Sequence, residues 1–312
     1  MKSFLLKDID KPWSVITLGC WQIAPSEGWG DRCSAMEAEA TVQRALDCGI
    51  TAFDTAEGYG DGESERRLGK ALGGKKDDVV IISKIWPDAT LTHKSYQQRL
   101  EGTLKALHRD YVDVYLVHWP GSFFNSPEKS SQLVEVMQAL RESGKAKTVG
   151  LSNFEADDLG LLGEGLFQFG INQVPYSLLE REYEGASLNT CQKKVATMAY
   201  SPTARGLLAG RLDDEARKIP TRQSYAIYQE PLFSQSKSVL KVVLEISQEL
   251  DCPAINVALA WVLAQDHVAT AAVGSRKPDQ VQEFAAAGDL QLSPQQLSQL
   301  TAASDIFHNA KS

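Results

Sequence analysis

Short apolar runs alternate along the chain with longer stretches in which apolar residues recur at helical spacing. The runs suited to strands are 15–19, 50–54, 79–84, 112–118, 146–152, 170–174, 195–200 and 268–274. Most are nearly continuous in Val, Ile, Leu and Ala, as expected of strands covered on both faces. Helix-start chemistry falls between them. Ser34-Ala-Met-Glu37 reads as a capping box, and Ser126-Pro127 and Ser293-Pro294 each place a cap before a first-turn proline. Eight strand-helix alternations predict an α/β fold, a (β/α)8 TIM barrel forming a single domain over residues 1–312. No Pro- or Gly-rich linker and no low-complexity segment divides it. The longest irregular stretch, 201–233, contains Arg205-Gly-Leu-Leu-Ala-Gly210 and is expected to cover a ligand.

Several of the runs end in, or lead to, one ionisable residue. Asp54 closes 50–54, Tyr59 follows in the loop, Lys84 closes 79–84 and His118 closes 112–118. In a parallel barrel these ends share one rim, within a patch about 10 Å across. A free phenol titrates near 10, too high for a good acid or base at neutral pH. A neighbouring Lys84 ammonium is expected to lower it, Asp54 to hold Lys84, and His118 to orient an oxygen bound beside Tyr59. Taken singly, each residue is more often a cap, an ion pair or packing; jointly they describe a donor and acceptor of protons at a carbonyl or alcohol oxygen. No G-x-S-x-G, activated cysteine or H-E-x-x-H motif supplies a step at carbon, and a nicotinamide hydride would fill that gap.

Composition narrows the picture further. With 32 basic and 40 acidic residues the net charge is −8, which argues against a nucleic-acid partner. The five cysteines have no metal-ligand spacing, so no metal is expected, and their odd number fits reduced thiols in a cytoplasmic protein. The start is too charged for a secretory signal, and no run approaches a membrane span. Gly58-Tyr-Gly60-Asp-Gly62-Glu63 imitates a dinucleotide fingerprint, but Glu63 stands where the third glycine belongs and Asp61, Glu63 and Glu65 would repel a pyrophosphate. His93, His108, His267 and His308 read as solvated.

Seven blocks, in order, resemble the aldo-keto reductase superfamily over nearly the whole chain. They are Phe53-Asp-Thr-Ala-Glu-Gly-Tyr59-Gly, Ser83-Lys84, Leu116-Val-His118-Trp-Pro120, Gly150-Leu-Ser-Asn153-Phe, Asn172-Gln173-Val-Pro-Tyr-Ser177, Tyr200-Ser-Pro-Thr-Ala-Arg205-Gly-Leu-Leu and Val273-Gly-Ser-Arg276-Lys-Pro. The resemblance implies a catalytic tetrad of Asp54, Tyr59, Lys84 and His118, with Tyr59 as general acid. It implies NADPH as cofactor, NADH being possible, bound extended across the barrel mouth. Ser152, Asn153 and Gln173 would hold the carboxamide, Tyr200 would stack on the ring, and Cys20 and Trp21 would approach the nicotinamide ribose beside Asp54. Backbone groups of Ser201 to Arg205, Thr203 among them, would line the pyrophosphate; Ser275, Arg276 and Gln280 would meet the adenosine 2′-phosphate, with Gly274 also in the cofactor site. Two departures stand out: Phe284 occupies the place of a usual adenine-contacting Asn, and Thr203-Ala204 replaces the more usual Leu-Gly.

Trp21, Trp86 and Trp119 follow strand candidates and are expected to wall a pocket for a small-molecule aldehyde, ketone or sugar. The leading expectation is an NADPH-dependent reductase of aldehydes and ketones. The alternatives are an aldose dehydrogenase running oxidatively and a nucleotide-sensing regulator similar to potassium-channel β subunits. A barrel lyase or isomerase would need a metal or phosphate site that the sequence does not display. Oligomeric state is open, with a monomer favoured.

Overall fold

The computed structural model describes residues 1–25, 33–122, 124–210 and 217–311. Eight parallel strands close into a barrel: β1 (Ile16–Gly19), β2 (Ala52–Asp54), β3 (Val80–Ile85), β4 (Val112–Val117), β5 (Ala146–Ser152), β6 (Ile171–Pro175), β7 (Ala196–Tyr200) and β8 (Val268–Gly274). Each pairs with its neighbours in sequence, and β8 returns to β1 through Gly274 opposite Gly19. The longer outer helices are α1 (Ala35–Asp47), α2 (Glu63–Leu72), α3 (His93–Leu107), α4 (Pro127–Glu142), α5 (Leu232–Glu249), α6 (Ala254–Leu263), α7 (Pro278–Ala285) and α8 (Pro294–Lys311). The strands are shorter than the apolar runs at several ends. Pairing in the second starts at Ala52, two residues after the run does, while the third continues past Lys84 to Ile85 and His118 lies just beyond β4.

Helix starts follow the local chemistry. Ser34 accepts from the Glu37 amide and the Glu37 carboxylate accepts from the Ser34 amide, which satisfies two otherwise orphaned donors. Ser126 caps α4 ahead of its proline, and Ser293 exchanges the same pair of bonds with Gln296 at the start of α8. Helix α2 opens on Glu63 after Gly62, with Glu65 in its first turn, so its positive end is already met by carboxylates. That placement agrees with the rejection of a dinucleotide fingerprint there.

The strands alternate inward and outward, and the inward set explains the site. Ala52, Val80, Ile82, Val114, Leu116, Ile171, Met198 and Ala272 form one buried cluster inside the barrel. Two residues further along each strand direction come Asp54, Lys84, His118, Gln173 and Tyr200. The barrel is thus filled by aliphatic layers below and capped by a polar layer at the carboxyl ends of the strands. Gly150 is needed in this filling: a Cβ there would lie 2.5 Å from Leu116 Cδ2 and 2.7 Å from the Ile171 carbonyl oxygen. At the opposite end Trp13, fully buried, stacks on Phe4 and donates to Thr17 Oγ1 at 2.9 Å, closing the barrel bottom.

The outward residues meet the helices. Ser83, beside Lys84 but facing away from it, donates to Glu65 Oε1 of α2 at 2.6 Å. Glu65 is 2% exposed, and burial pushes its carboxyl up to about 7. His267 and His308 also depart from expectation. Both are half-buried rather than solvated, burial pushes both imidazoles down, and His267 packs edge-on against Tyr176 at 5.0 Å. His93 and His108 are exposed, as expected. None of the five cysteines forms a disulfide. Among the described residues no helix is long and apolar enough to cross a membrane.

The raised Glu65 carboxyl has a defined consequence for stability. Its folded pKa lies above its unfolded value of 4.5, so the buried neutral form stabilises the fold below pH 4.5 and that stability is lost as pH rises through about 7. Glu65→Gln is therefore expected to match wild type in urea unfolding near pH 5 and to exceed it by about 3 kcal/mol near pH 9. Equal stability of the two proteins at the higher pH would contradict a buried carboxylate there.

Candidate active site

Four strand ends bring Asp54, Lys84, His118 and Gln173 together under the loop that carries Tyr59. Register does this directly: Asp54 stands opposite Ile82, two residues before Lys84, and Lys84 stands opposite Leu116, two residues before His118. The Lys84 side chain is completely buried. Its ammonium lies 2.8 Å from Asp54 Oδ1, 2.9 Å from Asp54 Oδ2, and donates to the Thr55 carbonyl at 2.8 Å and the Tyr59 hydroxyl at 3.2 Å. Burial pulls its pKa down, and the Asp54 carboxylate opposes that pull.

The phenol differs from the sequence expectation. Burial, then Asp54, Cys20 and Tyr225, push Tyr59 well above its ordinary value of 10.0. The ammonium was expected to dominate, but its charge is answered by a carboxylate at shorter range, so desolvation of the phenolate decides the direction. The hydroxyl therefore stays protonated at neutral pH. Trp21 stacks on the Tyr59 ring at 5.9 Å and His118 meets it edge-on at 5.6 Å. His118 is pulled well below 6.5 by burial and by Lys84, so its imidazole is neutral, and its buried Nδ1 has no hydrogen-bond partner among the described residues. Trp86 closes on His118 edge-on at 5.1 Å. The Trp86 amide donates to Glu57 Oε1 at 2.6 Å, and Arg99 grips the same carboxylate at 2.6 and 2.8 Å.

A cavity of about 560 Å³ runs from Tyr59 and His118 to Arg276 and Gln280. Trp21, Trp86, Trp119, Asp54, Ser152, Asn153, Gln173, Tyr200, Ser201, Thr203, Arg205, Gly274, Ser275 and the two far-end residues all line it. Lys84 does not itself line the cavity; it bonds Asp54 and Tyr59, which do. Cys20 is a correction: it is fully buried, its thiol turns to the Leu18 carbonyl, and burial pushes that thiol up. Gly19 lines the cavity in its stead. Trp29 lies outside the described residues, as do residues 211–216 of the long loop.

Beside the phenol the polar groups are neutral and already oriented. Asn153, at φ 64°, donates to the His118 carbonyl at 2.9 Å and to Ser152 Oγ at 3.1 Å, while its Oδ1 accepts from Tyr200 at 2.8 Å. Gln173 donates to Asp54 Oδ1 at 2.8 Å. An amide-sized group with both a donor and an acceptor fits this set, and the Tyr200 ring beside it offers an aromatic face. At the far end Ser275 Oγ bonds Gln280 and the Lys277 carbonyl, which fixes the turn presenting Arg276. Neutral amide donors at one end and an arginine at the other fit a nicotinamide nucleotide in donor chemistry. Among the described residues no group of three or more His, Cys, Asp or Glu side chains is placed to hold a metal ion.

Arg222, Tyr225 and Gln22 also line the cavity and were not foreseen. Gln22 follows Trp21 closely enough to have been considered, whereas Arg222 and Tyr225 sit in an aperiodic stretch that carries no pattern.

Residues 15–305 match the model of the aldo/keto reductase family. An aldo-keto reductase of Bacillus subtilis, YhdN, is 33% identical over 282 residues, covering 86% of this chain and 83% of the relative. An NADH-specific methylglyoxal reductase of Escherichia coli is 28% identical over 319 residues, covering 94% and 95%. The crystal structure of an aldo/keto reductase from Klebsiella pneumoniae in complex with NADP and acetate superposes with a TM-score of 0.77 at 29% identity, covering 96% of this chain and 94% of that one.

The buried ammonium makes the Asp54–Lys84 pair testable in isolation. Asp54→Ala leaves that charge without a counterion and is expected to cost about 3–5 kcal/mol in urea unfolding. Adding Lys84→Met should recover most of the loss. Equal stabilities of the single and double variants would show that Lys84 does not depend on Asp54.

Proposed function

This chain belongs to the aldo/keto reductase family, and we propose that within it the protein reduces small-molecule aldehydes and ketones to alcohols with NADPH. The observation that carries this reading is the Tyr59 hydroxyl, held by Lys84 at 3.2 Å in the same cavity as the Ser152 hydroxyl and the Asn153 and Gln173 amides. The Klebsiella neighbour's NADP supports NADPH, and the NADH-specific relative keeps NADH within range.

Ser152, Asn153 and Gln173 would hold the carboxamide, Tyr200 the ring face, backbone groups of Ser201 to Arg205 the pyrophosphate, and Ser275, Arg276 and Gln280 the far phosphate. The bound reduced nicotinamide would supply a hydride. Tyr59 gives its proton to the carbonyl oxygen as negative charge develops there. Lys84 then faces the phenolate left behind, and Asp54 keeps the ammonium in place for that moment. Neutral His118 lines the same space as a hydrogen-bonding group without adding a second charge. Trp86 and Trp119, 41% and 43% exposed, leave their faces open to the apolar part of the substrate or of a sugar ring.

Burial keeps the Tyr59 phenol loaded with the proton that carbonyl reduction consumes.

Two measurements test the proposal. NADPH consumption with a panel of aldehydes, ketones and sugars should fall at least about a hundredfold in Tyr59→Phe, with nucleotide binding retained. Equal turnover of wild type and variant would remove Tyr59 from the reaction. The shifts also predict the pH profile of the reductive kcat. With His118 neutral down to well below 6.5 and Tyr59 protonated to well above 10.0, the rate should stay level from about pH 7 to about pH 9. A fall centred between those limits would contradict a phenol pushed upward.

A further inference from the structure

We infer that Glu180 is a positioning residue for the nucleotide loop, acting through Arg205. The inference rests on reading the cavity as a nucleotide site. Ala204, Arg205 and Gly206 have φ of 48°, 57° and 97°, so three successive residues lie in the left-handed region and two of them carry side chains. Such a turn costs free energy and persists only where its surroundings impose it. Its carbonyls are held from one side: Tyr228 donates to those of Ala204 and Arg205 at 3.1 Å each, and Arg222 Nε donates to that of Arg205 at 3.1 Å.

The other side depends on Glu180. Arg205 Nη1 donates to both of its carboxylate oxygens, at 2.7 and 2.8 Å, and the Arg205 guanidinium stacks on Tyr225 at 3.3 Å. The Arg205 side chain is 6% exposed and that of Glu180 14%, so water screens the pair little. Glu180 is itself fixed. Its amide and carbonyl close a two-bond bridge with Ser177, and adjacent Arg181 binds Ser304 and Asp305 of α8. One carboxylate on a rigid turn after β6 thereby sets the left-handed turn that lines the cavity and the aromatic ring above it.

Arg205 lines the cavity, so a rival arrangement has its charge gripping phosphate while Glu180 competes for it. The two arrangements predict opposite signs. With Glu180 as the anchor, Glu180→Gln should weaken NADPH about tenfold, mainly through faster release, because Arg205 loses its buried counterion and the turn its support. With Glu180 as a competitor, the same change should tighten NADPH.

The experiment measures the NADPH dissociation constant and release rate by tryptophan fluorescence, without a carbonyl substrate, in wild type, Glu180→Gln and Glu180→Asp. The expected result is a tenfold weaker Gln variant, partial recovery in Asp, and in turnover a rise in KM for NADPH rather than a fall in kcat. Should the Gln variant fold poorly, the Asp variant carries the test, because a shorter carboxylate should still weaken NADPH severalfold. Unchanged or tighter NADPH binding in the folded variant overturns the role of Glu180 while leaving the proposed function standing. Failure of wild type to bind NADPH overturns both.

Discussion

An ammonium group cut off from water has to be answered within a few ångströms, and the Lys84 side chain imposes that demand at the top of the barrel. Both Asp54 oxygens, the Thr55 carbonyl and the Tyr59 hydroxyl meet it. Each partner is placed by something else in the fold. Strand pairing sets Asp54 beside β3, the loop after β2 returns Thr55 and Tyr59 over it, and Gln173 donates to Oδ1 of the same carboxylate. A charge that would destabilise the core if left alone thus becomes the reason a phenol sits at a fixed distance from a carboxylate and an amide.

Much of this was legible in the sequence. The strand runs were visible because both faces are covered and the runs are continuously aliphatic. The four ionisable residues were visible because each follows such a run, and the inward alternation that ends in Asp54, Lys84 and His118 is the structural form of that signal. Other features were hidden for physical reasons. The sign of the Tyr59 shift depends on how much water the fold removes, which proximity of Lys84 in sequence pattern cannot tell. Cys20 follows a strand as Trp21 does, yet its thiol turns into the core. His267 and His308 read as surface histidines in the sequence, yet His267 packs edge-on against Tyr176 and His308 is half-buried on α8. Arg222 and Tyr225 belong to a stretch without period, so only the folded chain brings them to the cavity.

The cavity changes character along its length. The end at Tyr59 and His118 is walled by tryptophans and a neutral imidazole, the middle by oriented amides and an aromatic ring, and the far end by a turn carrying Arg276. An acidic protein of net charge −8 can hold an anionic nucleotide on these terms, because the cations are local and backed by the fold. The left-handed turn at 204–206 in that wall is fastened by groups from three separate segments.

In the proposed reaction the carbonyl carbon receives hydride from the nicotinamide while the oxygen receives the Tyr59 proton. NADPH with both hydrogens at C4 of the nicotinamide replaced by deuterium, supplied with a carbonyl compound that the enzyme reduces, in ordinary water, should yield an alcohol carrying one deuterium on the former carbonyl carbon and none retained on oxygen. An alcohol formed without deuterium on that carbon would rule out hydride transfer from the nicotinamide.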